Sequence, residues 1–237
     1  MKKAMILTAA ALAAAVSMAA PKARGPKKGP VIAAGGEDLA AGGAKIKFRV
    51  EQLPKLGRSS TAVAPSIGES PMGPSWNGKP RRWIVMETKY QTMDKCIDQL
   101  TFTWHVLLET KSATENKGNR EGLAPYSYFS TSMTYFNIPQ GSHASSVVLP
   151  PSYLERYGEP KAVGFTISNQ NGDELFCGSV SEIQGIKPNE KFWDNDNIMN
   201  ASGKDGKPMI ERRQGLLDRS KTIWALVYPN DYETTLQ

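Results

Sequence analysis

QLTFTWHVLLET, from Gln99 to Thr110, places Leu100, Phe102, Trp104, Val106 and Leu108 at every second position. A period of two puts all five side chains on one face of an extended chain, so the stretch reads as a strand with an unbroken apolar column. At about 3.3 Å per residue it reaches about 40 Å, longer than a usual strand, and one bend or bulge is expected along it. His105 falls on the opposite face with Thr101, Thr103 and Leu107. The fold turns on the column, and the functional question on the face behind it.

The same period recurs on both sides. Upstream, KIKFRVEQ sets Ile46, Phe48 and Val50 against Lys45, Lys47, Arg49 and Glu51, and RWIVMETKY sets Ile84, Met86 and Thr88 against Trp83, Val85 and Glu87. Between them the run from Leu53 to Pro80 carries five prolines and no steady period, which predicts a long irregular connection. Downstream, YSYFSTSMTYFNI divides its rings between two faces: Phe129, Met133 and Tyr135 on one, and Tyr126, Tyr128 and Phe136 on the other. SYLERYGEP predicts a short helix capped by Ser152 and ended by Gly158 and Pro160. AVGFTISNQNGDELFCGSV predicts a hairpin turning on Asn171-Gly172, since both residue types accept positive φ. KFWDNDNIMNASGKDGKP reads as polar and turn-rich, MIERRQGLLDRS as a second short helix, and TIWALVYP as a final central strand.

Seven or eight strands with few helices predict a mostly β domain, an antiparallel two-layer β-sandwich of immunoglobulin-like topology. It carries one or two short helices and a long loop near its N-terminal side. Trp104 lies only eight residues after Cys96 and no Tyr precedes Cys177 by two, so the inter-sheet bridge of antibody domains does not transfer.

The N-terminal sequence bounds the compartment. Residues 1–20 combine Lys2 and Lys3, an apolar run from Ala4 to Val16, and small residues at Ser17 and Ala19, the pattern of a secretory signal peptide. Residues 21–44 are a flexible Pro/Gly/Ala/Lys tail, too poor in apolar side chains to offset the entropy of ordering. Residues 45–237 then form one domain. The first 44 residues hold six Lys/Arg and two acids, a surplus of four, so the formal charge of +6 falls to +2 for the rest. A near-neutral domain argues against nucleic acid as a partner. The expected protein is secreted or periplasmic and associated with the cell surface, with no integral membrane segment once the signal is removed.

The candidate chemistry is sparse. Cys96 and Cys177 are 81 positions apart; in an exported chain they form either a disulfide or two buried thiols, and the sequence leaves both open. A catalytic histidine needs a nucleophile and an orienting partner, and neither His105 nor His143 sits in a motif that supplies them. Asp194, Asn195, Asp196 and Asn197 are rich in oxygen, but Ile198 and Met199 break the spacing of a calcium loop, which leaves an Asx-type turn. A hydrolase would have to draw on scattered acids such as Glu109, Glu121 and Asp173. No cofactor, metal or enzymatic role is expected. Tyr126, Tyr128 and Phe136 are the candidate ligand or partner face, where flat rings stack on a sugar or a protein, unless the long loop covers them.

The signal peptide, the basic Pro/Gly tail and the strands RWIVMETKY, QLTFTWHVLLET and TIWALVYP together resemble the secreted, fimbrial-like, pilus-associated immunoglobulin-like proteins of mucin-dwelling bacteria. The resemblance implies a non-enzymatic structural or adhesive module at the cell surface, partnered by surface or pilus proteins and by host mucus glycans or host cell proteins. A carbohydrate-binding module for mucin glycans is the alternative. No functional residue transfers with the resemblance.

Overall fold

The computed structural model describes residues 46–57, 61–63, 82–110 and 123–222, all within one compact unit. The signal, the tail, most of the long connection and the last strand expected from the sequence lie outside the described residues. QLTFTWHVLLET is the second half of a 28-residue strand, β3 (Arg82–Glu109), whose first half is RWIVMETKY. It pairs along its length with β4 (Tyr126–Leu149). A straight strand of that length would reach about 90 Å, against the roughly 40 Å diameter of a domain of this size, so the pair has to fold over.

The fold-over has a local cause. Between the pairs Thr92↔Gly141 and Cys96↔Pro139 the register slips, setting Met93, Asp94 and Lys95 against Gln140 alone. Extra residues in one strand bend a ladder at that point. Thr92 fastens the bend: its hydroxyl donates to the Pro139 carbonyl at 2.7 Å and accepts from Gly141 N at 3.0 Å. His143 Nε2 lies 2.8 Å from the same carbonyl, so this histidine holds the bend from within β4. Asn137, at φ 52°, adds a second kink on the β4 side.

Beyond the bend the two halves of the β3–β4 pair face each other. Tyr90 and Phe102 are twelve positions apart on one strand, yet their ring centroids are 5.0 Å apart. Trp104 Nε1 donates to Ser145 Oγ at 3.2 Å, and Tyr135 donates to the same oxygen at 3.0 Å. The core lies between the halves. Leu100, Phe102, Trp104, Val106 and Leu108 are wholly buried there, opposite Ile84, Met86, Tyr90, Val147 and Leu149. The apolar column of the sequence is thus one wall of the core.

Flanking strands complete each wall. β1 (Phe48–Gln52) and β2 (Thr61–Val63) pair with the first half of β3, on the edge that β5 (Glu159–Ser168) takes along the second half. β6 (Glu174–Ser181) continues from β5. β7 (Ile210–Arg213) and β8 (Leu217–Asp218) pair with opposite ends of β4. All eight strands form a single hydrogen-bonded sheet, and the two layers are its folded halves. The expectation of a wholly antiparallel sandwich is corrected by β7, which runs parallel to β4.

Three further expectations change. MIERRQGLLDRS is not a helix: Ile210–Arg213 takes the free edge of β4, and Gly215 at φ 114° is incompatible with helical backbone. The helix of SYLERYGEP forms as α1 (Pro151–Tyr157), but its N-cap is Pro150 rather than Ser152, and Pro151 opens it with a preset φ. In the β5–β6 hairpin only Gly172 of the Asn-Gly pair has positive φ, because the loop spans Asn169–Asp173 instead of two residues. Asn169 Oδ1 closes that loop, accepting from Asn171 N and Asp173 N at 2.9 Å each. Among the described residues no helix is long and apolar enough to cross a membrane.

Candidate functional site: the outer face of the β3–β5 layer

Alternation that sends Trp104 inward sends His105 to the outer face of the layer formed by β6, β5, the second half of β3 and β4. Cross-strand register fixes its neighbours: Gly164 on β5 and Ser130 on β4 flank His105, and Ala162 and Tyr128 flank Leu107. This part of the face is covered by the segment after β6, with a 3-10 turn at Phe192–Asp194 and a one-turn helix, α2 (Asp196–Met199). Ile186, Phe192, Trp193, Met199 and Ile210 pack there on Leu107, Tyr128 and Ala162, forming a second apolar cluster.

The cover is seated on His105. The Trp193 and His105 rings stack at 4.1 Å between centroids, with 7° between their planes. His105 Nδ1 lies 2.6 Å from the Tyr128 hydroxyl. Gly164 is required beneath the indole, since a Cβ there would sit 2.3 Å from Trp193 Cζ3. His105 is 8 % exposed, and burial pushes its pKa down to about 3, so the ring is neutral. Burial raises the Tyr128 pKa, and the Arg212 guanidinium lies 5.8 Å from the centre of the same ring. A neutral, stacked and hydrogen-bonded imidazole is a seat for an aromatic lid. The sequence reading of this segment as merely polar missed the Phe192-Trp193 pair, an apolar anchor inside a hydrophilic run.

Away from the cover the same face is half-exposed and polar. Thr101 and Thr134 hydroxyls lie 3.1 Å apart, and those of Thr103 and Ser132 3.0 Å apart. Phe136 follows on β4 at 40 % exposure. The expected platform of Tyr126, Tyr128 and Phe136 is therefore not assembled. Tyr128 is buried under the cover, and Phe136 is eight residues further along β4, about 26 Å away. Tyr126 is half-buried, its hydroxyl 3.5 Å from Glu109 Oε1, and its pKa is raised by burial first and by Glu109 second.

Both cysteines are free thiols. Cys177 pairs across β5 in the row of Thr166 and Thr103, two strands from β3, whereas Cys96 is seven residues back along β3 at the bend. Seven residues of strand is about 23 Å, beyond the roughly 7 Å a disulfide tolerates between Cα atoms. Cys177 packs against the covered cluster, and burial pushes its thiol up to about 11. The Asp194–Asn197 run forms the Asx-type cap the sequence suggests: Asn195 Oδ1 accepts from Asn197 N at 3.1 Å. Asp173 accepts from Asn169 in the hairpin loop, far along the sheet from Glu109, and Glu121 lies outside the described residues. Among the described residues no group of three or more His, Cys, Asp or Glu side chains gathers in metal-binding geometry.

Comparison with known proteins places this architecture. The chain is similar to a protein from Akkermansia muciniphila seen in a crystal structure, with a TM-score of 0.55 and 19% sequence identity over 81% of this chain and 96% of that one. At that identity the likeness shows a shared fold. No curated protein matches the sequence. A protein-family model matches residues 52–236, from the end of β1 through the described domain, and the chain belongs to the family that this model defines.

Proposed function

We propose that this protein is an exported, non-enzymatic module of the cell surface or of a pilus assembly, immunoglobulin-like in its layering, that works through protein contacts. The observation that carries the reading is the uncovered half of the outer face, where paired hydroxyls of Thr101, Thr134, Thr103 and Ser132 lead to exposed Phe136. A strip of hydroxyls ending in one exposed aromatic ring suits contact with another protein. The sequence character of residues 1–44 and the resemblance of the strands to pilus-associated proteins support the compartment. Mucin glycans are the weaker ligand, because only Phe136 of the three candidate rings is freely exposed. Immunogold labelling of intact producing cells tests the proposal: gold should decorate the envelope or filaments projecting from it, and label confined to the cytoplasm would refute it.

A further inference from the structure

We propose that the segment from Glu182 to Met209 is an acid-releasable cover, seated on the neutral ring of His105 and opening by itself while the core between the β3–β4 halves stays closed. The proposal does not depend on what the exposed face binds.

Three observations place the device. The cover and the core are separate apolar clusters on opposite faces of one layer, so one can part without the other. The cover's centre is the Trp193 stack on His105, over a glycine that lets the indole approach the backbone. The cover is tied to β6 by Asn189 N to the Ser179 carbonyl at 3.1 Å, Ser179 Oγ to the Glu190 carbonyl at 2.8 Å, Ile183 N to Ser181 Oγ at 3.0 Å and Lys191 Nζ to Glu174 Oε2 at 2.6 Å, and its two ends by Glu182 N to the Lys161 carbonyl at 2.8 Å and Tyr126 N to the Met209 carbonyl at 3.0 Å. A surface unit seated on its own apolar cluster, outside the main core, can open as a unit separate from that core.

The ionisable groups around the seat come from every element that packs there. They are Tyr128 on β4, Arg212 on β7, Cys177 and Glu174 on β6, and Lys191 and Asp194 on the cover itself. Burial alone accounts for the depressed basicity of His105, and no charged neighbour offsets it. A cationic ring would gain a contact with the Trp193 face, but Arg212 already brings positive charge to Tyr128, and the ring would be cut off from water. Opening hydrates the ring and restores an ordinary histidine pKa near 6.5. Protons therefore favour the open form below about pH 6.5, by about tenfold per pH unit until the closed-form value is reached. Opening would bare Leu107, Tyr128 and Ala162 beside the hydroxyl strip.

Hydrogen exchange read by mass spectrometry, corrected for intrinsic rates, tests this on the full chain. Between pH 7.5 and pH 5.0, protection of cover amides such as Asn189 and Met199 should fall about 30-fold. Phe102 and Tyr135, which exchange only on whole-molecule unfolding, should stay far better protected than the cover at both pH values, and His105→Gln should abolish the pH dependence of the cover. A cover whose protection does not change with pH, or a His105→Gln protein with the wild-type pH profile, would overturn the proposal. Should His105→Gln not fold, the wild type still decides: cover amides as well protected as Phe102 and Tyr135 would mean that the cover opens only with the whole molecule, and would refute a separate cover.

Discussion

Trp104→Ala is expected to lower the free energy of unfolding by about 4 kcal/mol, the range for removing a large aromatic from a packed core. Trp104 is wholly buried, its ring 5.1 Å from Phe165, and its indole N–H bonds across the fold to Ser145. Alanine loses all of this at the point where the two halves of the β3–β4 pair meet. Trp104→Phe keeps most of the packing and forfeits the indole bond, so its loss should be nearer 1–2 kcal/mol. Ser145 would still accept from Tyr135. Urea unfolding with an unchanged m-value measures both losses. A loss below about 1 kcal/mol for Trp104→Ala would remove Trp104 from the centre of the core.

Gly158→Ala is the second large effect, and it tests backbone rather than core. Gly158 joins α1 to β5 at φ 94° and ψ −150°, a region open essentially to glycine alone. A Cβ there would lie 1.8 Å from the backbone carbonyl oxygen of Glu109, which cannot swing aside as a side chain would. Strain and clash together should cost about 3 kcal/mol or more. Gly172 in the hairpin loop is the internal comparison: its φ is 86°, with nothing within 4 Å of a built Cβ. Gly172→Ala should therefore cost about 1 kcal/mol, from strain alone. Thermal melts of the two variants separate the contributions, and equal losses would contradict the close approach at Glu109.

The faces of the strands were legible because a period of two is a local property. Ile84, Met86 and Thr88, Phe48 and Val50, and Phe129, Met133 and Tyr135 all point inward as their alternation predicts. The continuity of β3 was not legible. Met93-Asp94-Lys95 interrupts the pattern like a turn, and only pairing with β4 shows it to be a bulge inside one strand. Parallel β7 was hidden for a related reason: Ile210–Arg213 has no strand pattern of its own and is extended because the edge of β4 is free to receive it. The candidate site failed where its signal was tertiary. Tyr128 alternates outward as predicted, but it is buried in a cluster with Ile186, Phe192 and Trp193, which come some sixty residues later in the chain. The disulfide stayed open in the sequence because spacing carries no distance, and register supplies one.

His105 is a buried ring stacked beneath the cover. An NMR titration that follows its C2 proton, assigned against His105→Gln, reads this directly. The imidazole should stay neutral and hold one chemical shift from pH 8 to about pH 4.5, its native pKa lying near 3. An inflection near pH 6.5 in the folded protein would place the ring in water rather than beneath Trp193.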